Sequence, residues 1–391
     1  MKKLYLPLAI AAACTGTVAH ADSTFETLVK DGTANVDLRY RYEGVEEDGK
    51  AEDANANTLR TRLSLTTGTV GGVSFGLEFD DVRHLTTDFN STSNGKTDYP
   101  VVADPRGTDL NQAYAKYSAG GFTATGGRQR IVLDDQRFVG GVAWRQNEQT
   151  YDGARLQFGQ DAFSAEYSYV SQVNRIFGPS GAGATLRGDV HLANGGWKIS
   201  DAHKLTGFFY SMDFDDAAAL NNQTLGLRYQ GKFGPVGLTG SYATQSETGD
   251  APVDYSTDYL LLEASGDFNV VTATVGAEIL GSDGGVKGFQ TPLATGHKFQ
   301  GFADKFLGTP ANGVQDLYAG VSGKAGPVAL SLTYHDFQAV EGSASYGTEW
   351  DFTAAYAINK QVKTLLKFAD YSADDFSSDT QKIWLQVQIT L

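Results

Sequence analysis

The charged residues best suited to bind a solute are concentrated between Gly126 and Leu156. Arginines and aspartates alternate closely there: Arg128, Arg130, Asp134, Asp135, Arg137, Arg145, Asp152 and Arg155. A guanidinium group stays charged and forks onto a carboxylate through paired hydrogen bonds. The segment therefore predicts either transient capture of carboxylates or anionic sugars, or an internal lattice of ion pairs that braces a loop across a pore. Both can hold at once, because a braced constriction still presents its unpaired nitrogens to a solute.

Other reactive residue types give weaker indications. Ser331, His335 and Asp336 are the residue types of a hydrolase active site. However, residues four positions apart in any strand lie on the same face, so the shared face of Ser331 and His335 is weak evidence for catalysis. The chain contains no P-loop and no dinucleotide-binding fingerprint. We therefore predict that the protein is not an enzyme.

Metal and thiol chemistry are also disfavoured. Beyond the N-terminal segment the histidines are dispersed, and their spacing matches no set of metal ligands. They are His84, His191, His203, His297 and His335. The single cysteine, Cys14, falls in a segment that we expect to be removed, so we expect neither a disulfide nor a thiolate site. We predict that no cofactor is needed.

Acidic residues dominate the predicted loop 43–53, where six carboxylates accompany Lys50. Its simplest interpretation is a solvated outer loop. The alternative is that its carboxylates hold Ca²⁺ or Mg²⁺ ions, which bridge to lipopolysaccharide phosphates. The whole chain has a net charge of −15, which argues against nucleic acid as a partner.

Strands must position these residues, because apolar and polar side chains alternate through most of the chain. We predict eighteen strands at 33–43, 58–67, 73–84, 109–118, 121–130, 150–159, 162–175, 185–193, 203–213, 221–233, 235–246, 256–267, 270–281, 314–324, 327–338, 345–358, 361–371 and 380–391. Short turns alternate with long loops at 44–57, 85–108, 131–149, 247–255, 282–313 and 372–379. Short periplasmic turns and longer outer loops are typical of outer-membrane barrels. A soluble β-sandwich, which also alternates, is the alternative.

Both ends of the chain favour an outer membrane. Residues 1–21 have the basic start, short apolar core and small-residue cleavage site of a signal peptide. A lipoprotein signal cut before Cys14 is the alternative. Residues 383–391 are apolar at every second position, as expected of the strand that closes a membrane barrel. We therefore predict that residues 22–391 form one outer-membrane β-barrel domain.

The alternation also assigns arginines to the lumen. In the first strand Val36 and Leu38 would face lipid, so Arg39 and Arg41 would face inward. We expect nine arginines to line the lumen wall and its constriction: Arg39, Arg41, Arg60, Arg62, Arg128, Arg130, Arg137, Arg145 and Arg155. About eighteen strands is the size at which a barrel holds an aqueous channel.

Two separated segments resemble a known family. The run from Gly127-Arg128-Gln129 through Trp144-Arg145 to Tyr151-Asp152-Gly153-Ala154-Arg155-Leu156 resembles the signature of the alginate export family of outer-membrane barrels. Residues 297–310 are similar to a second segment of that family. The resemblance implies an eighteen-stranded channel with an arginine-rich lumen, which passes anionic polysaccharide or smaller solutes without chemistry, and it favours a monomer. This chain is more compact than the best-known exporters, so the resemblance does not extend to alginate as the cargo.

These patterns together predict an outer-membrane channel. Anionic or carboxylated saccharides or small solutes would diffuse passively through an arginine-lined pore, in a barrel surrounded by outer-membrane lipid and lipopolysaccharide. The alternative is a plugged barrel with a structural or polysaccharide-binding, adhesive role. The two functions differ in conductance.

Overall fold

The computed structural model describes residues 24 and 26–391, and eighteen of the strands in that part form one antiparallel sheet. The strands are β1 (Thr33–Glu47), β2 (Ala54–Thr66), β3 (Val73–His84), β4 (Gly107–Ala119), β5 (Phe122–Gln129), β6 (Thr150–Gln160), β7 (Phe163–Asn174), β8 (Thr185–Ser200), β9 (His203–Phe214), β10 (Asn222–Phe233), β11 (Val236–Ser246), β12 (Ser256–Asp267), β13 (Val271–Leu280), β14 (Ser282–Asp283), β15 (Lys287–Gly288), β16 (Val314–Ala325), β17 (Val328–Gln338), β18 (Ser345–Ala357), β19 (Val362–Ala373) and β20 (Thr380–Thr390). β14 and β15 make a small separate hairpin. The predicted signal peptide, residues 1–21, lies outside the described residues. No helix in the described part is long and apolar enough to cross a membrane.

The sheet closes into a barrel, because the last strand pairs with the first. β20 runs antiparallel to β1, with Val387 opposite Tyr40 and Ile389 opposite Leu38. Each of the other barrel strands pairs with its sequence neighbours in the sheet. Closure leaves no unpaired sheet edge in this part of the chain, which is the condition for a sheet to span lipid. The apolar C-terminal strand therefore has the role that the sequence predicted.

The two faces of the wall follow the predicted alternation. Leu225 and Leu227 on β10 are 61% and 58% exposed, whereas Arg228 beside them is buried in the interior. Large aromatic side chains crowd the outer face next to the short turns, including Tyr117, Phe122, Phe158, Phe163, Trp197, Phe233, Phe268 and Tyr356. An apolar outer band with an aromatic girdle matches a lipid-facing surface.

Several strands are longer than their patterns predicted, and β1 and β8 extend furthest at their C-terminal ends. β1 continues past Glu43 to Glu47, where it still pairs with β20. β8 continues through Asn194-Gly195-Gly196 to Ser200. Ladder hydrogen bonds to β7 and β9 hold the two glycines extended, although they have no side chains to show the alternation. Both extensions shorten the connections next to them.

Two of the long loops fold into the lumen: 130–149, and the part of 281–313 that follows the β14–β15 hairpin. They meet where Val139 and Leu293 form a parallel bridge. The backbone N–H of Gly140 donates to the carbonyl of Leu293 at 2.9 Å, and that of Thr295 donates to the carbonyl of Gln136 at 3.0 Å. These bonds tie the two inward loops into one unit inside the barrel.

An apolar cluster anchors the inward loops to the wall. Phe138 packs against Phe208, Tyr259 and Phe289, with ring centroids 4.9, 5.2 and 6.0 Å away. Val139, Tyr259 and Phe289 are fully buried. Burying such side chains contributes about 1.5–3 kcal/mol each. The loops therefore have a core of their own against the wall of β9 to β12.

Candidate functional site

The nine arginines predicted for the lumen all have their side chains on its wall or in the 130–149 loop. Arg39 and Arg41 lie on β1, Arg60 and Arg62 on β2, Arg128 on β5 and Arg155 on β6, whereas Arg130, Arg137 and Arg145 lie in the loop. Each donates to a carboxylate, an amide or a backbone carbonyl. The predicted lattice of ion pairs is therefore present, and it braces the loop.

Arg145 is a buried loop arginine that two carboxylates share. Its guanidinium bridges Glu43 of β1 at 2.6 Å and Asp104 of the 85–106 loop at 2.8 Å. Burial would raise the pKa of Asp104, but the charge of Arg145 and its hydrogen bonds outweigh burial and lower that pKa to about 2. For Arg145 itself, burial lowers the pKa, and the two carboxylates together raise it well above its usual value. The bridge therefore remains charged over the whole physiological range.

A second cluster joins the same loop to β2 and β3. Glu148 accepts a hydrogen bond from Arg130 at 2.6 Å and pairs with Arg62 at 2.8 Å. Glu78 pairs with the same two arginines, and Asn111 donates to both carboxylates. Burial would raise the pKa of Glu148, but Arg130 and Arg62 lower it to about 2. Glu148 and Glu78 thus join the two arginines in one network of ion pairs.

Arg137 fastens both inward loops to β13. Its Nε donates to Glu278 at 2.7 Å, and its Nη2 donates to the side-chain oxygen of Gln300 at 3.0 Å. Gln300 in turn donates to Glu278. The Arg137 side chain is only 2% exposed, so it holds the loops and offers little surface to a solute.

The remaining candidates pair along the wall. Arg60 pairs with Asp37 at 2.5 Å, Arg128 with Asp152 at 2.7 Å and Arg155 with Glu166 at 2.7 Å. Arg39 donates to Gln146 and to two loop carbonyls. Arg41 donates to Gln386 and stacks on the Trp144 ring at 3.9 Å. Among the nine predicted arginines, Arg128 and Arg130 keep the most exposed side chains, at 23% and 30%.

Residues 296–304, which we call the septum, lie between an outer and an inner cavity. Both cavities are lined by parts of the septum, but the two linings share no residue. Within the septum, the His297 ring stacks on the Trp144 ring, with ring centroids 4.4 Å apart. Its Nδ1 lies 2.7 Å from Asp304, and its Nε2 lies 2.7 Å from the ammonium group of Lys367 on β19.

The protonation of His297 follows from these contacts. Burial lowers the pKa of His297 to about 3. The negative charge of Asp304 raises this pKa, but not enough to offset burial, and the positive charge of Lys367 lowers it further. The ring is therefore neutral, with a proton on Nδ1 donated to Asp304 and with Nε2 accepting from Lys367. Burial would raise the pKa of Asp304, but Lys382 and His297 hold it well below its usual range.

The outer cavity has a volume of about 540 Å³ and opens toward the long loops. Its charged lining consists of Lys50, Arg145, Arg175, Lys305 and Lys382 against Glu47 and Asp304, with neutral His297 beside them. Lys305 pairs with Glu47 at 2.9 Å and Lys382 with Asp304 at 3.0 Å. Cations therefore outnumber carboxylates among the residues that line this cavity.

Arg175 is a lining residue that the sequence did not single out. It follows β7, lies over the Phe177 ring at 4.6 Å and donates to the carbonyl of Gly183. No carboxylate in the described part of the chain lies within ion-pair distance of it. A lone arginine at the outer end of a strand, away from the dense 126–156 segment, is the signal that could have identified it.

The inner cavity, about 410 Å³, lies on the short-turn side of the septum. Its charged lining is more acidic and comprises Asp135, Glu263, Glu278, Asp316 and Asp351 against Arg228, Lys298 and His335. Arg228 pairs with Asp135 at 2.8 Å and His335 with Asp316 at 2.9 Å. The balance of charged lining residues is thus positive in the outer cavity and negative in the inner one.

Ser331 and His335 both line the inner cavity, but in the described part of the chain no hydrogen bond joins either of them to Asp336. His335 contacts Asp316 on the neighbouring strand, whereas Asp336 bonds to Gln338. Gly72-Val73-Ser74-Phe75-Gly76 fits the Gly-x-Ser-x-Gly pattern, but it runs from a turn into β3, without the strand-to-helix elbow of hydrolases. Among the described residues, no group of three or more His, Cys, Asp or Glu is placed to hold a metal ion.

Comparisons with known proteins agree with this architecture. The family model described as alginate export matches residues 33–259, and no curated protein sequence matches. OpdK of Pseudomonas aeruginosa, solved with vanillate, is 14% identical with a TM-score of 0.74, covering 93% of this chain and 99% of that chain. OccK3 (OpdO) of the same species is 14% identical with a TM-score of 0.71, covering 94% and 97%. OccAB4 of Acinetobacter baumannii is 15% identical with a TM-score of 0.68, covering 92% and 98%.

The family match covers more than half of the chain, from the first barrel strand into β12. The structural matches extend the likeness over nearly all of the barrel. The chain therefore belongs to the alginate export family, and it is a porin-like channel of the bacterial outer membrane.

Proposed function

We propose that this channel passes small carboxylated solutes, including anionic saccharides, by passive diffusion, and that they are captured in the outer cavity. The observation that carries the proposal is the lining of that cavity, where five lysine and arginine side chains accompany two carboxylates. A cavity of about 540 Å³ is within the range of small-molecule sites. Cationic clefts raise the local concentration of anions and their entry rate.

Arg175 is the residue that we propose makes the first contact. Among the described residues it has no carboxylate partner, so its charge is available to a solute. Arg145 also lines the cavity, but two carboxylates already hold it. We propose that the ion pairs of the other predicted lumen arginines form a rigid frame. Among these arginines Arg128 and Arg130 keep the largest exposed fractions, and we propose that they contact solute along the wall.

We also propose that transport involves no catalysis, cofactor or nucleic acid, and that the barrel works as a monomer among lipopolysaccharide molecules. His335 bonds to Asp316 and Asp336 bonds to Gln338, so the three residues do not form a catalytic triad, which supports the absence of catalysis. Acidic residues remain exposed on the outer loop after β1, at Asp48, Glu52 and Asp53. These carboxylates are candidates for Ca²⁺ or Mg²⁺ bridges to lipid phosphates.

The test is solute-induced current interruption in a planar bilayer. Glucuronate added on the outer-loop side should interrupt the current, and glucose, which has a similar size and no charge, should not. Raising the salt concentration should reduce the interruption rate, because exposed charges are screened. Equal interruption by the two sugars would contradict the proposal.

A single substitution locates the capture site. Arg175→Gln should lower the rate of glucuronate interruptions about three- to tenfold, because it removes a charge that steers anions into the mouth. Arg83→Gln is the matched control, since Arg83 is exposed and pairs with Asp81 on the outer face. An unchanged rate in Arg175→Gln would exclude this arginine from capture.

The second candidate function is the plugged barrel with an adhesive role. The interlocked loops favour it, because Val139, Leu293 and their hydrogen bonds hold both loops within the lumen. A folded protein that conducts no ions under any tested condition would favour this function over diffusion.

A further inference from the structure

Two carboxyl groups of β18 hold the septum against the barrel wall. Glu349 accepts a hydrogen bond from the backbone N–H of Ala303 at 2.7 Å, and Asp351 accepts one from the N–H of Phe302 at 3.0 Å. Gly301 adopts a positive φ of 79°. A Cβ added to it would lie 2.3 Å from Oε2 of Glu349, so the backbone approaches this carboxyl very closely.

The carboxyl pair is buried and lacks a full set of hydrogen-bond donors. Glu349 is fully buried and Asp351 is 2% exposed. One oxygen of each, Oε2 and Oδ1, meets no N–H or O–H donor from another residue. The two residues are two positions apart on β18, so their side chains leave the same face of the strand. Two neighbouring carboxyl groups can share a hydrogen bond only when one of them carries a proton, because an ionised carboxylate only accepts.

The charged neighbours offset the charge of the pair only in part. On β17, His335 places Nε2 3.7 Å from Asp351, but its Nδ1 is bonded to Asp316 of β16. On β19, the ammonium group of Lys367 bonds to His297 and lies against aromatic rings. In the described part of the chain, no lysine or arginine lies within ion-pair distance of Glu349 or Asp351.

The other groups facing this region already have partners. From the septum, Asp304 pairs with Lys382 of β20, and the next residue, Lys305, pairs with Glu47. From β19, Tyr371 donates its hydroxyl to backbone carbonyls. A shared proton is therefore what allows two carboxyls to lie side by side here, since two ionised carboxylates would repel each other strongly.

We propose that Glu349 and Asp351 form a proton-operated latch, which holds the septum while the pair keeps one proton and releases it when both groups ionise. Release frees residues 301–303 from the wall and joins the outer cavity to the inner one. The inference deepens the proposed channel function, because it assigns the step that opens the path. The latch requires no particular solute, so it can be tested apart from carboxylate selectivity.

The first experiment follows conductance with pH in planar bilayers. Between about pH 5 and about pH 9 the conductance of the wild-type chain should rise at least about threefold, as the released population grows. Glu349→Gln should abolish the rise, because its amide keeps an acceptor for Ala303 and permanently donates to Asp351. Asp351→Asn tests the same point from the other partner, should the first variant fail to fold.

The matched control is Glu263→Gln. Glu263 also lines the inner cavity, but it accepts from the Tyr318 hydroxyl on the wall at 2.7 Å. This variant should keep the wild-type pH response. If either latch variant folds and keeps that response, the latch is excluded.

A second readout reports the septum directly. Lys298, exposed on the septum, is replaced by cysteine and spin-labelled. The mobility of the label should rise with pH over the same interval as conductance, and it should stay low in Glu349→Gln. A pH-independent label would overturn the latch. If mobility and conductance respond to pH but glucuronate is not preferred over glucose, the solute proposal fails and the latch stands.

Discussion

The buried bridge made by Arg145 gives the sharpest stability prediction. In Arg145→Met the aliphatic length is kept and the charge is removed, so Glu43 and Asp104 lose the cation that they share. Arg41 is the nearest remaining cation in the described part of the chain, and its Nη1 is 4.0 Å from Asp104. We expect the 130–149 loop to detach from β1 far more often, while the barrel itself stays closed.

The magnitude follows from the burial of the three groups. Removing one partner of a buried ion pair costs about 3–5 kcal/mol. The pKa of Asp104 is lowered to about 2 although burial alone would raise it, which agrees with a strong attraction by its cationic neighbours, Arg145 first among them. A loss of 3–5 kcal/mol multiplies the open population of the loop by about 10²–10³ or more.

Hydrogen exchange measures this opening. The backbone N–H of Gln146 donates to Asp104 at 2.7 Å and is buried, so it exchanges through loop release. Its exchange rate in Arg145→Met should rise about 10²- to 10³-fold. Arg83→Met is the control, because its exposed pair with Asp81 contributes less than about 1 kcal/mol. Acceleration below about tenfold in Arg145→Met would refute the view that this bridge holds the loop.

Three further predictions test the loops, the faces and the orientation. Asp104 and Glu148 have folded pKa values of about 2, below their ordinary 3.8 and 4.5. The stability that these two carboxylates contribute is therefore present above about pH 4.5 and is lost as the pH falls toward about 2. A spin label at Val132→Cys should become mobile only in that acidic interval, and mobility that first rises near neutral pH would contradict this. Val387→Asp should impair assembly and Gln386→Glu should not, because Val387 faces lipid whereas Gln386 accepts from Arg41 in the lumen; a charge at mid-bilayer costs about 2–4 kcal/mol for basic residues and less for acidic ones. Heat-modifiable gel mobility would show this, and equal assembly would remove the face assignment. A protease site inserted at Gly284, in the turn of the β14–β15 hairpin, should be cut on intact cells, whereas cleavage only after outer-membrane permeabilisation would invert the topology.

The strand array could be predicted from the sequence because lipid on one side and polar groups on the other impose a period of two. All eighteen predicted strands correspond to barrel strands. The boundaries were less predictable where side chains carry no pattern. Gly195 and Gly196 have none, and ladder pairing with β7 and β9 keeps them in β8.

The site was predictable in its residue types but not in its pairings. Strand alternation placed Arg39, Arg60 and their neighbours in the lumen. Their partners come from elsewhere in the sequence: Arg137 meets Glu278, 141 residues away. Which loop enters a barrel depends on tertiary packing, such as Phe138 against Tyr259 and Phe289. Arg175 and the Glu349–Asp351 pair were missed for the same reason, because their importance lies in what surrounds them.

We propose that the lumen conducts anions in preference to cations, because lysine and arginine side chains outnumber carboxylates in the lining of the outer cavity. The most direct test is the reversal potential of the wild-type chain in a planar bilayer under a salt gradient. We predict a reversal potential of the sign that marks anion selectivity, with a smaller magnitude in Arg175→Gln and no change in Arg83→Gln. A cation-selective reversal potential from the folded wild-type barrel would contradict the claim.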